Sequence, residues 1–136
     1  MPYQNGTLEA IAYDEKGNVI GKDLLKTAEL RTVLLAEPEE KTVSQGHLAF
    51  IRIRYADAYG TTKPVERGIL KASVEGGTLE AFGSACPFYE QSYLDDESDT
   101  YYGEALAIVR AKDAGEIKLT VTDGNRTAET VVAICN

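Results

Sequence analysis

The stretch that decides the fold is Leu48-Ala49-Phe50-Ile51-Arg52-Ile53-Arg54-Tyr55. Its side chains alternate between two faces. The apolar face holds Ala49, Ile51, Ile53 and Tyr55, and the other face holds Arg52 and Arg54. A period of two residues is that of a β-strand with one buried face. The sequence therefore predicts a strand at residues 48–55 that covers a core with one side.

Similar short strands, separated by turn residues, continue in both directions from this stretch. They are predicted at residues 7–13, 19–25, 30–36, 69–75, 78–82, 102–111, 116–122 and 126–134. Turn clusters at residues 14–18 and at Asp123-Gly124 join neighbouring strands, and Glu37-Pro38 is expected to end the third strand. About nine strands without helical periodicity indicate an all-β fold, an immunoglobulin-like antiparallel β-sandwich preceded by a β-hairpin.

The predicted core consists of the apolar side chains that alternation directs inward. They are Ile51, Ile53, Leu70, Val74, Leu106, Val109, Ile117, Leu119, Val121 and Val132. The strand at residues 102–111 is apolar at alternate positions on both faces, so we expect it to be covered on both sides.

Composition excludes several classes of function. The 136 residues carry 22 acidic and 14 basic side chains, a net charge of −8, which argues against nucleic-acid binding. No apolar run approaches the roughly 20 residues of a membrane span. A hydrophobic fraction of 43% and a charged fraction of 26% are those of an ordinary globular domain.

The residues that most often carry catalysis or bind metals are scarce. Cys86 and Cys135 are far apart and form no CxxC motif, so we expect two free thiols. The single histidine, His47, follows Gln45-Gly46 in a predicted exposed turn. The sequence predicts no catalytic residue and no cofactor.

A long irregular stretch, residues 83–100, is the candidate functional loop. Residues 88–99 hold five acidic and no basic side chains. Weak candidates for a cation site are Asp95, Asp96, Glu97 and Asp99, but the segment lacks EF-hand spacing, so no metal site is predicted. Aromatic faces for a sugar or for another domain are offered by Tyr89, Tyr93, Tyr101 and Tyr102. Domain docking is the favoured alternative; a saccharide site and a solvated loop without specific function are the others.

Two parts of the sequence resemble bacterial glycoside hydrolase family 2 enzymes of the β-galactosidase type. The first part is Gly6-Thr7-Leu8-Glu9-Ala10-Ile11-Ala12-Tyr13-Asp14 with Gly17-Asn18-Val19-Ile20-Gly21 and Lys26-Thr27-Ala28. It resembles the end of an immunoglobulin-like domain of those enzymes. The second part is Val74-Glu75-Gly76-Gly77-Thr78-Leu79, Phe82-Gly83-Ser84-Ala85-Cys86-Pro87 and Tyr101-Tyr102-Gly103-Glu104-Ala105-Leu106-Ala107-Ile108-Val109-Arg110-Ala111. It resembles their C-terminal, invasin-like immunoglobulin domain, in which asparagine is common at the position of Cys86.

The resemblance implies two units and a larger parent enzyme. Residues 1–29 are expected to be the terminal hairpin of a preceding immunoglobulin-like domain, and residues 30–136 the C-terminal immunoglobulin-like domain. The family's catalytic barrel, about 250 residues long, does not fit in this chain. The implied function is therefore that of a non-catalytic accessory domain of a retaining glycosidase; the alternatives are a carbohydrate-binding module and an adhesion-type immunoglobulin repeat.

The resemblance also implies the partners. These are the other domains of the parent enzyme and, in the alternative, a saccharide. The hairpin at residues 7–27 would lack its native neighbours, so we expect it to be held by the sandwich or by a second copy of the chain. No signal peptide is visible, which favours a bacterial cytoplasm over secretion.

Overall fold

A computed structural model describes residues 2, 4–113 and 115–136. Eleven β-strands are present in the described part, and no helix. Two strands form an N-terminal hairpin: β1 (Thr7–Tyr13) and β2 (Val19–Lys26). No helix in these ranges is long and apolar enough to cross a membrane.

The other nine strands form two sheets. One sheet contains β4 (Thr42–Ser44), β6 (Leu70–Glu75), β8 (Glu97–Ser98), β10 (Gly115–Thr122) and β11 (Thr127–Cys135), in the order β4-β11-β10-β6-β8. The other contains β3 (Val33–Pro38), β5 (Leu48–Ala56), β7 (Gly77–Gly83) and β9 (Glu104–Ala111), in the order β3-β5-β9-β7. All described pairs are antiparallel except β4 with β11. The predicted all-β sandwich is confirmed.

The core between the sheets follows the predicted alternation. Eight of the ten predicted core side chains are fully buried: Ile51, Ile53, Leu70, Val109, Ile117, Leu119, Val121 and Val132. Val74 is partly buried against this cluster. The prediction for Leu106 is wrong, because its side chain is 37% exposed. Strand β9 directs the alternate residues Ala105, Ala107, Val109 and Ala111 into the core instead.

Several strand boundaries differ from the predicted ones. Strand β3 begins later and runs through Pro38, which pairs with Ile51. Proline is tolerated there because β3 is an edge strand, where one side of the backbone has no neighbouring strand that needs an N–H donor. The short strands β4 and β8 were not predicted. Strand β9 begins at Glu104 rather than at Tyr102, since Tyr102 and Gly103 form a turn.

The hairpin pairs with itself and not with either sheet. Its large apolar side chains are exposed, with Leu8 at 67% and Leu25 at 67%. These two residues lie opposite each other, on the same face as Ala10 and Ala12. The expectation that the sandwich covers this face is therefore wrong for the single chain. That a second copy of the chain or another domain covers it is still a prediction.

Asp57 connects the hairpin unit to the sandwich. Its carboxylate is fully buried and accepts hydrogen bonds from the backbone N–H groups of Glu29 (3.0 Å), Tyr59 (2.9 Å) and Thr61 (2.9 Å). The N–H of Glu29 is the largest cause that lowers the pKa of Asp57 to about 2. Nearby, the Lys26 ammonium lies 4.8 Å above the centre of the Tyr59 ring. The start of the sandwich is thus fixed by an ionised carboxylate.

Candidate functional site

A concave surface lies on the outer side of the four-stranded sheet, where β5 and β9 present the faces that do not enter the core. Its volume is about 720 Å³. We call it the tyrosine groove; it is lined chiefly by Arg52, Ser84, Tyr93, Tyr101, Tyr102, Glu104, Leu106 and Ile108. Three of the four tyrosines predicted as sugar or domain contacts therefore come together at one place.

The fourth predicted tyrosine supports the groove from below. The rings of Tyr89 and Tyr93 are stacked, with centroids 4.4 Å apart and an interplanar angle of 16°. The Tyr89 hydroxyl donates to the Ser98 hydroxyl at 3.1 Å. A Cβ on Gly83 would come within 2.1 Å of the Tyr93 ring, so only glycine allows this ring to lie on the end of β7. Tyr93 is half exposed and forms one wall.

Tyr101 and Tyr102 form the opposite part of the groove. Their rings meet edge to face, with centroids 4.6 Å apart. Burial raises the pKa of the Tyr101 hydroxyl above its ordinary value. Tyr102 is 66% exposed, and its φ of 49° is in the left-handed region, which only Gly103 among its neighbours adopts freely.

The two tyrosines belong to a tight turn. Tyr101 and Glu104 exchange backbone hydrogen bonds of 3.0 and 3.1 Å around Tyr102-Gly103, and both central residues have positive φ, as in a type I′ hairpin turn. The Gly103 carbonyl accepts a hydrogen bond from the Tyr55 N–H at 2.8 Å, so the turn is anchored to β5. The sequence had placed Tyr102 in a strand and missed this turn.

Charged groups flank the apolar floor. The Arg52 guanidinium forms an ion pair with Glu104, and both side chains are partly exposed. Leu106 lies directly opposite Arg52 across the β5–β9 pair, which places an apolar surface beside two hydrogen-bonding groups. The sequence did not predict Arg52 or Glu104 as site residues. The signal that could have indicated Arg52 was the arginine face of the strand at residues 48–55.

The acidic candidates do not assemble around one point. Lys71 lies 3.7 Å from Asp96 and 3.4 Å from Glu97, and Asp99 accepts a hydrogen bond from the Ser84 hydroxyl at 2.8 Å. Within residues 2, 4–113 and 115–136, no three His, Cys, Asp or Glu side chains are placed to hold a metal ion. Three of these carboxylates are thus bound by Lys71 or by the Ser84 hydroxyl instead of facing a common point.

The remaining candidate residues have ordinary structural positions. Cys86 is partly buried and Cys135 is exposed, and both are free, as predicted. His47 is exposed, and its backbone N–H donates to the Ser44 carbonyl at 3.0 Å, which confirms the predicted turn.

A comparison with protein families decides where this fold belongs. The profile of the glycoside hydrolase family 2 C-terminal domain 5 matches residues 33–132. The chain belongs to this family. The match covers the sandwich from β3 into β11 and leaves the hairpin outside.

Two solved structures similar to this chain are those of larger enzymes. A glycosyl hydrolase family 2 member from Bacteroides cellulosilyticus has a TM-score of 0.85 and 25% sequence identity, covering 98% of this chain and 19% of the enzyme. A β-glycosidase from Bacteroides vulgatus has a TM-score of 0.86 at 19% identity, covering 98% of this chain and 18% of that one. No curated protein sequence matches. The chain therefore spans less than a fifth of the enzymes that share its fold.

Proposed function

We propose that this chain is a non-catalytic accessory domain of a larger glycoside hydrolase family 2 enzyme, and that its hairpin packs against the rest of that enzyme. The observation that carries the proposal is the coverage: almost the whole chain, hairpin included, matches 19% of the Bacteroides cellulosilyticus enzyme. A catalytic barrel of about 250 residues would lie outside these 136 residues.

The hairpin supports a packing role. Leu8 and Leu25 lie side by side and two-thirds exposed, next to Ala10 and Ala12. A two-stranded sheet is marginal alone, and covering a leucine side chain contributes about 1.5–3 kcal/mol. The opposite face carries Ile11, Tyr13 and Leu24 beside the Glu9–Lys22 ion pair. Both faces of the hairpin thus hold exposed apolar side chains that a neighbouring domain could bury.

The test is made in the full-length protein that contains this segment. Leu8→Glu combined with Leu25→Glu is expected to lower the melting temperature of that protein, because it places two charges in an apolar contact. Val131→Glu is the control, since Val131 is 48% exposed in β11, outside both the hairpin and the candidate loop. Equal melting temperatures for the wild type and both variants would refute the packing role.

A further inference from the structure

Tyr102 occupies a position that its residue type does not favour. The first central residue of a type I′ turn is usually Asn, Asp or Gly, because a larger side chain at positive φ is strained. Tyr102 has φ 49°, and two-thirds of the residue is exposed to solvent. Little burial therefore compensates for the strain. Strain of this kind is concentrated where a side chain serves binding.

The ring of Tyr102 extends an apolar surface that ends in polar groups. Tyr93, Tyr101, Leu106 and Ile108 continue this surface across the tyrosine groove. Arg52 offers N–H donors at the edge, and Glu104 offers carboxylate acceptors. Glu39 also lines the groove, so two carboxylates accompany one guanidinium and the groove disfavours an anionic ligand.

The groove has the size of a small-molecule site. Its volume of about 720 Å³ falls within the range of roughly 300–1,000 Å³ that is usual for ligand pockets. Flat aromatic faces beside paired donors and acceptors match a molecule that has an apolar ring face and equatorial hydroxyl groups. A pyranose has both features. The net charge of −8 further disfavours an anionic ligand.

We propose that the tyrosine groove binds a neutral saccharide, with one pyranose ring on the face of Tyr102 and hydroxyl groups on Arg52 and Glu104. This site is independent of the packing of the hairpin, because its lining residues come from the sandwich. A docked protein domain is the competing occupant that the experiment distinguishes.

The experiment titrates the isotope-labelled 136-residue chain by NMR. Cellobiose, lactose and xylobiose are the neutral probes, each added to about 20 mM, well above a millimolar dissociation constant. At least one is expected to shift the amide signals of Tyr102, Gly103 and Leu106 in a saturable manner. Methyl β-D-glucuronide, an anionic sugar, is expected to bind more weakly than that probe.

The variant Tyr102→Asn separates a binding role from a structural one. Asparagine suits positive φ, so the melting temperature should stay equal or rise, while the affinity for the neutral sugar falls about tenfold. Tyr59→Asn is the matched control, because Tyr59 is 73% exposed and lies outside the groove; it should retain the affinity.

Three results would overturn the proposal. They are unchanged groove signals with all three neutral probes, unaltered affinity in Tyr102→Asn, and a lower melting temperature of Tyr102→Asn without sugar binding by the wild type. The last result would assign Tyr102 to the fold of this chain.

Discussion

Leu119 and Leu106 test the orientation of the two sheets at the level of single residues. Leu119 in β10 is fully buried, whereas Leu106 in β9 is 37% exposed in the groove. Leu119→Ala should lower the free energy of unfolding by about 2–5 kcal/mol, because it leaves a cavity. Leu106→Ala should cost less than about 1 kcal/mol. Guanidinium denaturation measures both, and equal losses would mean that the outer face of β9 is as buried as the core.

Asp57 should give the chain a distinct response to acid. Its pKa of about 2 lies below the ordinary 3.8, since three backbone N–H groups, Glu29 first, stabilise the carboxylate. The unfolded chain therefore takes up this proton first as the pH falls. The stabilisation is complete above about pH 4 and is lost as the pH falls towards 2.

Asp57→Asn is expected to be less stable at pH 7 and to lose less stability than the wild type between pH 5 and pH 2. Urea denaturation across this pH range measures the difference. Asp123, whose pKa is also about 2, keeps its own contribution to acid sensitivity in the variant. Burial alone would raise its pKa, but hydrogen bonds from Asn125, Arg126 and Tyr55 together lower it by more. Parallel profiles for the wild type and the variant would contradict the role of Asp57.

The hairpin is the element that behaves differently from the rest of the chain. Its strands pair only with each other among the described strands, and the face with Leu8 and Leu25 is open. In the 136-residue chain we expect this face to pair with a second copy, since an exposed apolar sheet and its free edges favour association. Light scattering should give the mass of a dimer.

Deletion of residues 1–27 supplies the control for the hairpin. The shortened chain should be monomeric, and its sandwich should keep its unfolding temperature within a few degrees, because the two sheets and their core lie after residue 30. A monomeric 136-residue chain whose hairpin amides exchange as in an unfolded peptide would contradict this prediction.

The whole molecule should lack glycosidase activity. Retaining glycosidases need two carboxyl groups held about 5–5.5 Å apart on a rigid scaffold that binds the sugar. In the candidate loop, Asp96 and Glu97 are instead engaged with Lys71, and Asp99 with Ser84. Assays of the purified chain with nitrophenyl β-galactoside and β-glucoside should show no turnover. Activity that follows this chain through purification would contradict the proposed function.

The sequence alone determined the local features of this protein. Alternation placed the strand at residues 48–55 and its four buried side chains, because a strand's period of two is independent of its partners. Turn chemistry placed Asp123-Gly124, where the Asp123 N–H donates to the Arg126 carbonyl at 3.1 Å. The sequence also identified the four candidate tyrosines, but not that three of them line one groove.

Tertiary structure decided what depends on residues distant in the chain. Strand β8 exists because Leu70 and Lys71 pair with Ser98 and Glu97, and two residues have no periodicity of their own. Leu106 was assigned to the core because both faces of β9 are apolar, and only the opposite sheet selects the face that is buried. The groove, similarly, required β5, β9 and the Tyr102 turn to meet. Contacts across a sandwich join positions that no local pattern relates, so geometry decides them.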